Sequence, residues 1–320
     1  MTIDLTDPIF HDETEARAWL EGARWPNGVN CPHCGSLRVA VMGGKGHRPG
    51  LFHCPDCRGQ FTVQTGSVME SSHVPLAKWV LAIRLMTSSK KGMSAHQLHR
   101  SIGVTYKTAW FMFHRIREAM SDPNAPPLGG PGKVIEADEA YHGKRKTPRE
   151  PQPRDKYRTP PTKTGGNKKR PITVLVERGG EARVKHMITV NAKNLSTFIA
   201  ANADKASRLH TDESNLYPGI GAGFAKHETV NHGAREYARG KGDELITSNS
   251  AEGFFGVFKR GMVGVYQHCG EQHFQRYLDE YAYRFNTRAK LGVDDATRAV
   301  RATKAMEGKR LTYRRIAGEG

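Results

Sequence analysis

The sequence predicts a multidomain protein in which a small metal-binding domain, an all-helical domain and a larger α/β domain follow one another. Three observations support this prediction. Two CxxC pairs lie near the start of the chain, residues 75–120 carry apolar side chains at helical spacing, and strand and helix patterns alternate from residue 133 onwards. A chain of 320 residues is also too long for one small core, so two or three domains are expected.

The charge composition indicates a polyanionic partner. The chain has 49 Lys and Arg residues against 32 Asp and Glu residues, a formal net charge of +17, which favours nucleic acid first and an anionic membrane surface second. No apolar run reaches the roughly 18 residues that span a bilayer. The opening segment, MTIDLTDPIFHDETEA, lacks the basic-then-apolar pattern of a signal peptide. We therefore expect a cytoplasmic protein with no membrane partner.

Residues 1–70 are predicted to form an amino-terminal helix, over residues 13–24, and a zinc ribbon. Two CxxC knuckles separated by 19 residues can direct four thiolates at one ion, and closed tetrahedral sulfur coordination suits structural Zn²⁺. The alternative is a redox dithiol, which normally needs a single CxxC in a thioredoxin-like domain. The predicted zinc ligands are Cys31, Cys34, Cys54 and Cys57. Cys269 stands alone and is expected to be a small buried residue.

Residues 71–122 are predicted to form a helix-turn-helix domain. An amphipathic helix around residues 79–86 precedes a second helix with Ser94 as its N-cap, a glycine-containing turn at residues 101–104 and a third helix at residues 105–120. The start of that third helix would enter the major groove. The alternative is an ordinary three-helix bundle used for packing or dimerisation. The predicted DNA contacts are Tyr106, Lys107 and Thr108.

Residues 123–132, rich in proline and glycine, are predicted to be a linker to the third domain, residues 133–290. That domain begins with a strand predicted to end at Asp138. A basic insertion follows at residues 144–170, where eleven Lys or Arg residues and five prolines predict a mobile loop that contacts phosphates non-specifically. Residues 291–320 are predicted to be a basic C-terminal tail.

The remaining pattern of the third domain alternates strands and helices. It is compatible with a ribonuclease-H-like α/β domain, a mixed sheet with helices on its faces. A short strand is predicted to end at Asp212. The predicted elements are a strand (172–177), its hairpin return (182–190), a helix (194–205), two short strands (208–212 and 226–231) and two helices (from 248 to 261 and 271–288).

Acidic residues on these elements predict a catalytic metal site. Asp138 and Asp212 stand at predicted strand ends, and the helix ending at residue 261 places Glu252 beside them. Two divalent ions about 4 Å apart need oxygen ligands that converge from several elements, and carboxylates suit Mg²⁺ or Mn²⁺. Lys259, two turns after Glu252, can balance phosphate charge. The neighbouring acids left open as secondary ligands are Glu136, Glu139 and Glu213.

A series of motifs resembles insertion-sequence transposases of the IS1595 type with an ISXO2-like catalytic domain. The motifs are RWPNG before CPHCGS, FTVQTGSVM after the second knuckle, GVTYKTAWFMFHRIR, DEAYHG from Asp138, TDESNLY from Thr211, VNH at Val230–His232, NSAEGFFGVFKRG and YLDEYAYRFNTR. The resemblance extends over nearly the whole chain. It implies DDE-type DNA cleavage and strand transfer, with Asp138 and Asp212 as the first two acids and Lys259 as the associated basic residue.

The third position of the DDE site has two candidates one helical turn apart, because members of the family carry either asparagine or glutamate there. We favour Glu252 over Asn249, since an ionised carboxylate offsets two cations better than a neutral amide. Asn249 remains the competing residue, as a ligand or a helix cap. Lys259 and the adjacent Arg260 are expected to contact DNA near the scissile phosphate.

The leading hypothesis is therefore a bacterial transposase that binds the terminal inverted repeats of its element and joins them to target DNA. Two ends must be joined together, so a dimer or a larger homo-oligomer is expected, associated with the nucleoid when DNA is bound. One alternative is a structure-selective nuclease of the same fold. The other is a DNA-binding regulator whose catalytic domain is inert.

Overall fold

The computed structural model describes residues 4–44, 46–144 and 169–312. It divides into two compact units. The N-terminal unit comprises Met1–Asp122 and Thr287–Gly320, and the sheet unit comprises Pro123–Asn286. The predicted basic loop at residues 144–170 lies almost wholly outside the described residues. No helix of the described part is long and apolar enough to cross a membrane.

The described residues form nine α-helices and ten β-strands. In chain order they are α1 (Glu13–Arg24), β1 (Ala40–Val41), β2 (Phe52–His53), β3 (Gln60–Phe61), α2 (Leu76–Ser88), α3 (Ala95–Ile102), α4 (Tyr106–Met120), β4 (Val134–Lys144), β5 (Lys169–Glu177), β6 (Ala182–His186), α5 (Ala192–Asn202), β7 (Arg208–Thr211), α6 (Pro218–Gly221), β8 (Lys226–Thr229), β9 (Ala238–Arg239), β10 (Ile246–Thr247), α7 (Asn249–Gly261), α8 (Phe274–Asn286) and α9 (Asp295–Lys304).

The ribbon of the N-terminal unit is a three-stranded antiparallel sheet in the order β1-β2-β3. Strands of two residues bury little surface, so aromatic side chains supply the core beside them. Phe52 stacks on Phe61 with ring centroids 5.4 Å apart, and Trp25 meets both rings edge-on. Trp25 follows directly on α1, and this helix has the predicted bounds because the Asp12 carboxylate caps its first turn.

Helices α2, α3 and α4 occupy the region predicted as a helix-turn-helix. The Ser94 hydroxyl accepts the backbone N–H of Gln97 and caps α3, as predicted. Gly103 ends this helix in the left-handed conformation, at φ 61°, which costs glycine little. Because α3 continues to Ile102, the connection is shorter than the predicted turn. Thr105 then caps α4 by accepting the N–H of Thr108.

The segment predicted as a C-terminal tail is instead a folded part of the N-terminal unit. Helix α9 packs against α1 and α2, and Ala299 and Ala302 are buried on its inner face. Beyond it, Met306 is also buried and the backbone N–H of Gly308 donates to the carbonyl of Gly66. The prediction was wrong because two alanines form a narrow apolar face in an otherwise basic stretch.

The segment predicted as a linker also begins the sheet unit rather than preceding it. Leu128 is 3 % exposed and forms a parallel bridge with Ala203. Its backbone N–H donates to the carbonyl of Asn202, and its carbonyl accepts from Asp204. Proline and glycine in this stretch therefore mark an irregular, mostly exposed connection that is anchored to the core at Leu128.

The sheet unit contains a five-stranded mixed sheet in the order β6-β5-β4-β7-β8. Strands β4, β5 and β6 are antiparallel neighbours, whereas β7 and β8 run parallel to β4. One face packs against α7 and α8 through a core that includes Ala140, Val174 and Phe258. The other face packs against α5 through a core that includes Ile135 and Leu209.

The central strand β4 is longer than predicted. It pairs with β5 from Ile135 to Lys144, with an irregularity after His142, so Asp138 lies within the strand and not at its end. Ala140, two residues further on, is buried in the core against α7. The prediction failed because the second half of β4 is stabilised by pairing with β5, which comes after the long basic insertion. The residues next to Asp138 in the sequence do not show this pairing.

Candidate active site and metal centre

The register of two parallel strands places Asp138 and Asp212 at the same level of the sheet. The last paired residues of β4 and β7 are Glu136 and His210. Asp138 lies two residues further along β4, and Asp212, two residues beyond His210, is the first residue after β7. Side chains two residues apart point to the same face of a strand, so the Asp138 carboxylate lies on the face that carries α7. Asp212 follows the adjacent strand directly, and its charge acts on Asp138.

The first of these acids is half-buried among other negative charges. The pKa of Asp138 is raised from its usual 3.8 to about 6, mainly by burial and also by the charges of Asp212 and Glu252. The backbone N–H of Glu139 opposes this rise by donating to Asp138 Oδ1 at 2.7 Å. The ionised form is thus disfavoured in the absence of a cation. Gathered carboxylates of this kind are suited to a divalent ion, whose charge would reverse the effect.

Helix α7 presents the third acid from its first turns. Glu252 is exposed, and its Oε1 lies 3.7 Å from Nε2 of His232. The same ring nitrogen is 3.4 Å from Oγ of Ser248, the N-cap of α7. His232 also acts favourably on the ionised form of Asp138. The two strand acids, Glu252 and this histidine therefore form one electrostatic group.

His232 was not among the site residues expected from the sequence, although its motif, VNH, is part of the resemblance. The loop that carries it is held by Glu213, whose two carboxylate oxygens accept the backbone N–H groups of His232 and Gly233 at 3.0 Å each. The backbone N–H of Glu213 itself lowers the pKa of this carboxyl most, and the hydrogen bonds from Gly233 and His232 lower it further. Glu213 therefore holds the loop in place. The VNH motif was the one feature of the sequence that pointed to His232.

The other two neighbouring acids also have partners that explain them. Glu139 lies on the opposite face of β4, where the Tyr217 hydroxyl donates to it, and burial raises its pKa to about 7. Glu136 is fully buried and pairs with Arg178 and the first turn of α7. It shares the face of Asp138 but its oxygens are already occupied by these donors.

Asn249 and Lys259 lie at opposite ends of α7. Asn249 is exposed, and its backbone N–H donates to Oγ1 of Thr247 at 3.2 Å. Lys259 and Arg260 are exposed in the last turn, and the Lys259 ammonium lies 5.7 Å from the ring centroid of Phe255. Lys259 follows Glu252 by seven residues, which is about 10 Å along a helix. Lys259 can therefore reach a phosphate outside the immediate acid group.

Four thiolates of the ribbon form the metal centre predicted from the sequence. The sulfur atoms of Cys31, Cys34, Cys54 and Cys57 all lie within 4.8 Å of one another. Cys31 and Cys57 are 3.6 Å apart, and Cys34 and Cys54 are 3.7 Å apart. A tetrahedral Zn²⁺ with Zn–S bonds of 2.3 Å has sulfur atoms separated by about 3.8 Å. The arrangement fits zinc.

The start of α4 displays the residues predicted to contact DNA. Tyr106 is 44 % exposed, Lys107 is exposed and Thr108 is partly buried. The Tyr106 ring stacks on His96 of α3 with centroids 4.2 Å apart. This contact fixes the tyrosine on the surface formed by the two helices.

Comparisons with known proteins agree with these features. Residues 127–286 match the family model for the ISXO2-like transposase domain, and residues 11–60 match the transposase zinc-ribbon domain. The chain is 32% identical over 236 residues to an uncharacterized protein in transposable element ISH50 of Halobacterium salinarum. That alignment covers 72% of this chain and 78% of the relative.

Similarity to solved structures is weaker. A chain of the simian T-cell lymphotropic virus intasome in complex with the PP2A regulatory subunit B56 gamma has a TM-score of 0.30 at 14% identity, over 61% of this chain and 66% of that one. The Mos1 transposase paired-end complex with the left transposon end has a TM-score of 0.27 at 13% identity, over 71% and 75%. The family matches and the ISH50 relative carry the conclusion: the chain belongs to the IS1595-type transposases with an ISXO2-like domain.

Proposed function

We propose that this protein is an active DDE transposase that cleaves DNA at the ends of its insertion sequence and joins the exposed 3′-hydroxyl groups to target DNA. The observation that supports it most is the placement of Asp138 on β4 and of Asp212 directly after the adjacent parallel strand β7, with the charge of Glu252 acting on Asp138 from α7. The mixed sheet with helices on both faces is compatible with a ribonuclease-H-like fold for this unit.

The three acids would hold Mg²⁺ or Mn²⁺, since their oxygen donors suit hard divalent ions. When bound, a metal pair supplies an activated water or 3′-hydroxyl and stabilises the leaving oxygen of a phosphodiester. Asp138 and Asp212 contribute carboxylates from the rigid sheet, and Glu252 contributes one from a helix packed on it. Lys259 and Arg260 offer positive charge to the DNA backbone on the same exposed side of α7.

Glu252 is the better candidate for the third acid. Its charge influences the pKa of Asp138, and its carboxylate lies beside His232. The structure gives Asn249 an exposed position at the first residue of α7, where an amide can contribute as a ligand or to the cap. A carboxylate also offsets the charge of two cations, which an amide cannot do.

We further propose that the N-terminal unit recognises the ends of the element. The net charge of +17 supports DNA as the partner, and Tyr106 and Lys107 are displayed at the start of the second helix of the α3–α4 pair. Entry of that helix into the major groove is the usual use of such a pair. Joining two ends in one reaction requires a synapse, for which a homo-oligomer is the simplest arrangement.

The deciding experiment is a cleavage and strand-transfer assay on end-sequence DNA with Mg²⁺. Asp138→Asn and Asp212→Asn should each lower both activities by about 10³-fold or more, because each removes several kcal/mol of metal-dependent transition-state stabilisation. Glu181→Gln, at an exposed hairpin position, is the matched control and should retain wild-type activity. Full activity of either aspartate variant would overturn the site, and cleavage without joining by the wild type would indicate a nuclease.

The same assay separates the two candidates for the third position. Glu252→Gln should abolish cleavage to a similar extent, whereas Asn249→Ala should retain most of it. The opposite pattern would assign the third position to Asn249.

A further inference from the structure

Glu136 is a fully buried carboxylate with no place among the proposed metal ligands. It lies on β4, two residues before Asp138 and on the same face of the sheet. Removing a charged carboxylate from water is costly unless several donors replace the lost hydration. The donors that bind the Glu136 carboxylate therefore indicate its structural role.

The carboxylate caps the amino-terminal end of α7. Glu136 Oε2 accepts the backbone N–H of Ser250 at 2.7 Å and that of Ala251 at 3.3 Å, and Oε1 accepts the Ser250 hydroxyl at 3.1 Å. The N-cap residue, Ser248, makes no side-chain capping bond. A side chain from the sheet thus satisfies N–H groups that a helix leaves unpaired at its start, and its negative charge suits the helix dipole.

A second set of hydrogen bonds ties the same carboxylate to the strand that precedes α7. Arg178 donates to Glu136 Oε1 through Nε at 3.1 Å and Nη2 at 3.0 Å. The same guanidinium donates to the carbonyls of Leu245 at 2.6 Å and Thr247 at 3.4 Å. The segment leading into α7 and the first turn of α7 are therefore both fixed to one side chain of β4.

Apolar packing alone would not define this position. Phe254 and Phe258 of α7 pack on the sheet, but such contacts are non-directional and tolerate small shifts of a helix along its axis. Hydrogen bonds to Glu136 have defined lengths and directions. They lie two residues from Asp138 on the strand and one or two residues from Glu252 on the helix.

We propose that Glu136 is a positioning residue that sets the separation between the Asp138 and Glu252 carboxylates and thereby the affinity of the site for its divalent metal. This inference rests on the proposed function, because it assumes that those two acids share the metal site. Glu136 itself touches neither metal nor DNA.

The test combines metal binding with amide hydrogen exchange on the full-length, zinc-loaded protein. Glu136→Gln removes the charge and one set of acceptor contacts with little change in volume. Mn²⁺ affinity measured by calorimetry should fall by about 10-fold or more, as for other residues that orient metal ligands. Without Mn²⁺, exchange should accelerate in the peptide that covers the start of α7 and stay unchanged in α8.

Two further variants separate positioning from general loosening. Glu177→Gln alters another carboxylate of the same sheet, a half-buried one on β5 that accepts the backbone N–H of Gly129 at 3.0 Å. Its side-chain hydrogen bond and ion pair go to Gly129 and Lys133 and not to α7, so it should leave Mn²⁺ affinity unchanged. Ser250→Ala removes a single hydrogen bond to Glu136 and should weaken Mn²⁺ binding by about 2- to 10-fold, which keeps the test informative should Glu136→Gln fold poorly.

Wild-type Mn²⁺ affinity in Glu136→Gln, or an equal loss in Glu177→Gln, would overturn the proposal. If the wild-type protein bound no Mn²⁺ and Asp138→Asn made no difference, the proposed active site would fail instead. Unchanged exchange at the start of α7 in Glu136→Gln would separately refute its role in holding the helix.

Discussion

Asp138 occupies a position where ionisation is unfavourable in the metal-free protein. Its pKa is raised to about 6, first by burial and then by Asp212 and Glu252. An acid with a folded-state pKa above its unfolded value binds its proton more tightly when folded. Its ionisation therefore destabilises the fold at pH 7, and this penalty disappears as the pH falls through 6 towards 4.

We predict that Asp138→Asn stabilises the metal-free protein at pH 7 while abolishing activity. A shift of about two pKa units corresponds to on the order of 1–3 kcal/mol. The difference in thermal midpoint between variant and wild type, measured by differential scanning calorimetry, should be largest at pH 7 and shrink between pH 6 and pH 4.

Added Mg²⁺ provides the control for this prediction. It should raise the thermal midpoint of the wild type by binding the folded state. The thermal midpoint of Asp138→Asn should stay nearly unchanged. A variant less stable than the wild type at pH 7 would show that the aspartate has a structural role instead.

At the residue scale, the sequence could propose a role where a residue belongs to a motif, but not where the role depends on a distant partner. Asp138, Asp212 and Glu252 could be named because each motif places an acid on a separate element. The role of Glu136 could not be foreseen, since its partners, Arg178 and Ser250, are far away in the chain. No local pattern distinguishes a helix-capping glutamate on a strand from a metal ligand.

At the element scale, the pair of helices α3 and α4 supports a specific prediction about DNA. Lys107 is exposed in the first turn of α4. Lys107→Gln should weaken binding to end-sequence DNA, and the slope of log K against log salt concentration should become shallower by about 1, because one phosphate contact is lost. Fluorescence anisotropy over a salt series measures both quantities.

The matched control is Lys193→Gln, an exposed lysine of α5 in the sheet unit, which removes the same charge outside the proposed recognition helix. It should leave both values unchanged for a short duplex carrying the end sequence. If Lys107→Gln and Lys193→Gln changed the affinity and its salt dependence equally, DNA binding would depend only on the total charge of the protein.

The bounds of α1 were predicted more accurately than the end of β4 for a physical reason. The bounds of α1 follow from local signals, an Asp12 cap and apolar spacing, and α3 likewise follows from Ser94 and Gly103. The extent of β4 is set by β5, which pairs with it as far as Lys144. Strand ends depend on partners distant in sequence, and here a long insertion separates the two.

At the scale of the whole molecule, the segment after the sheet unit completes the N-terminal unit. Ala302 on α9 is fully buried, whereas Val300 is 37 % exposed on the same helix. We predict that Ala302→Lys lowers the free energy of unfolding by about 3 kcal/mol or more, because it places an unpaired charge among packed helices. Chemical denaturation followed by circular dichroism measures the change.

Val300→Lys makes the same chemical change at an exposed position two residues away and should alter stability by no more than about 0.5 kcal/mol. If Ala302→Lys were equally harmless, α9 would be dispensable and the segment would be a tail after all.

The return of the chain at α9 also bears on the order in which the protein can fold during synthesis. Domains generally fold from the amino terminus as the chain emerges from the ribosome. Here all of the sheet unit, Pro123–Asn286, emerges before α9, so the N-terminal unit lacks one of its packing helices until then. The helices that α9 packs against, α1, α2 and α4, can therefore complete their packing only after Lys304 has been made.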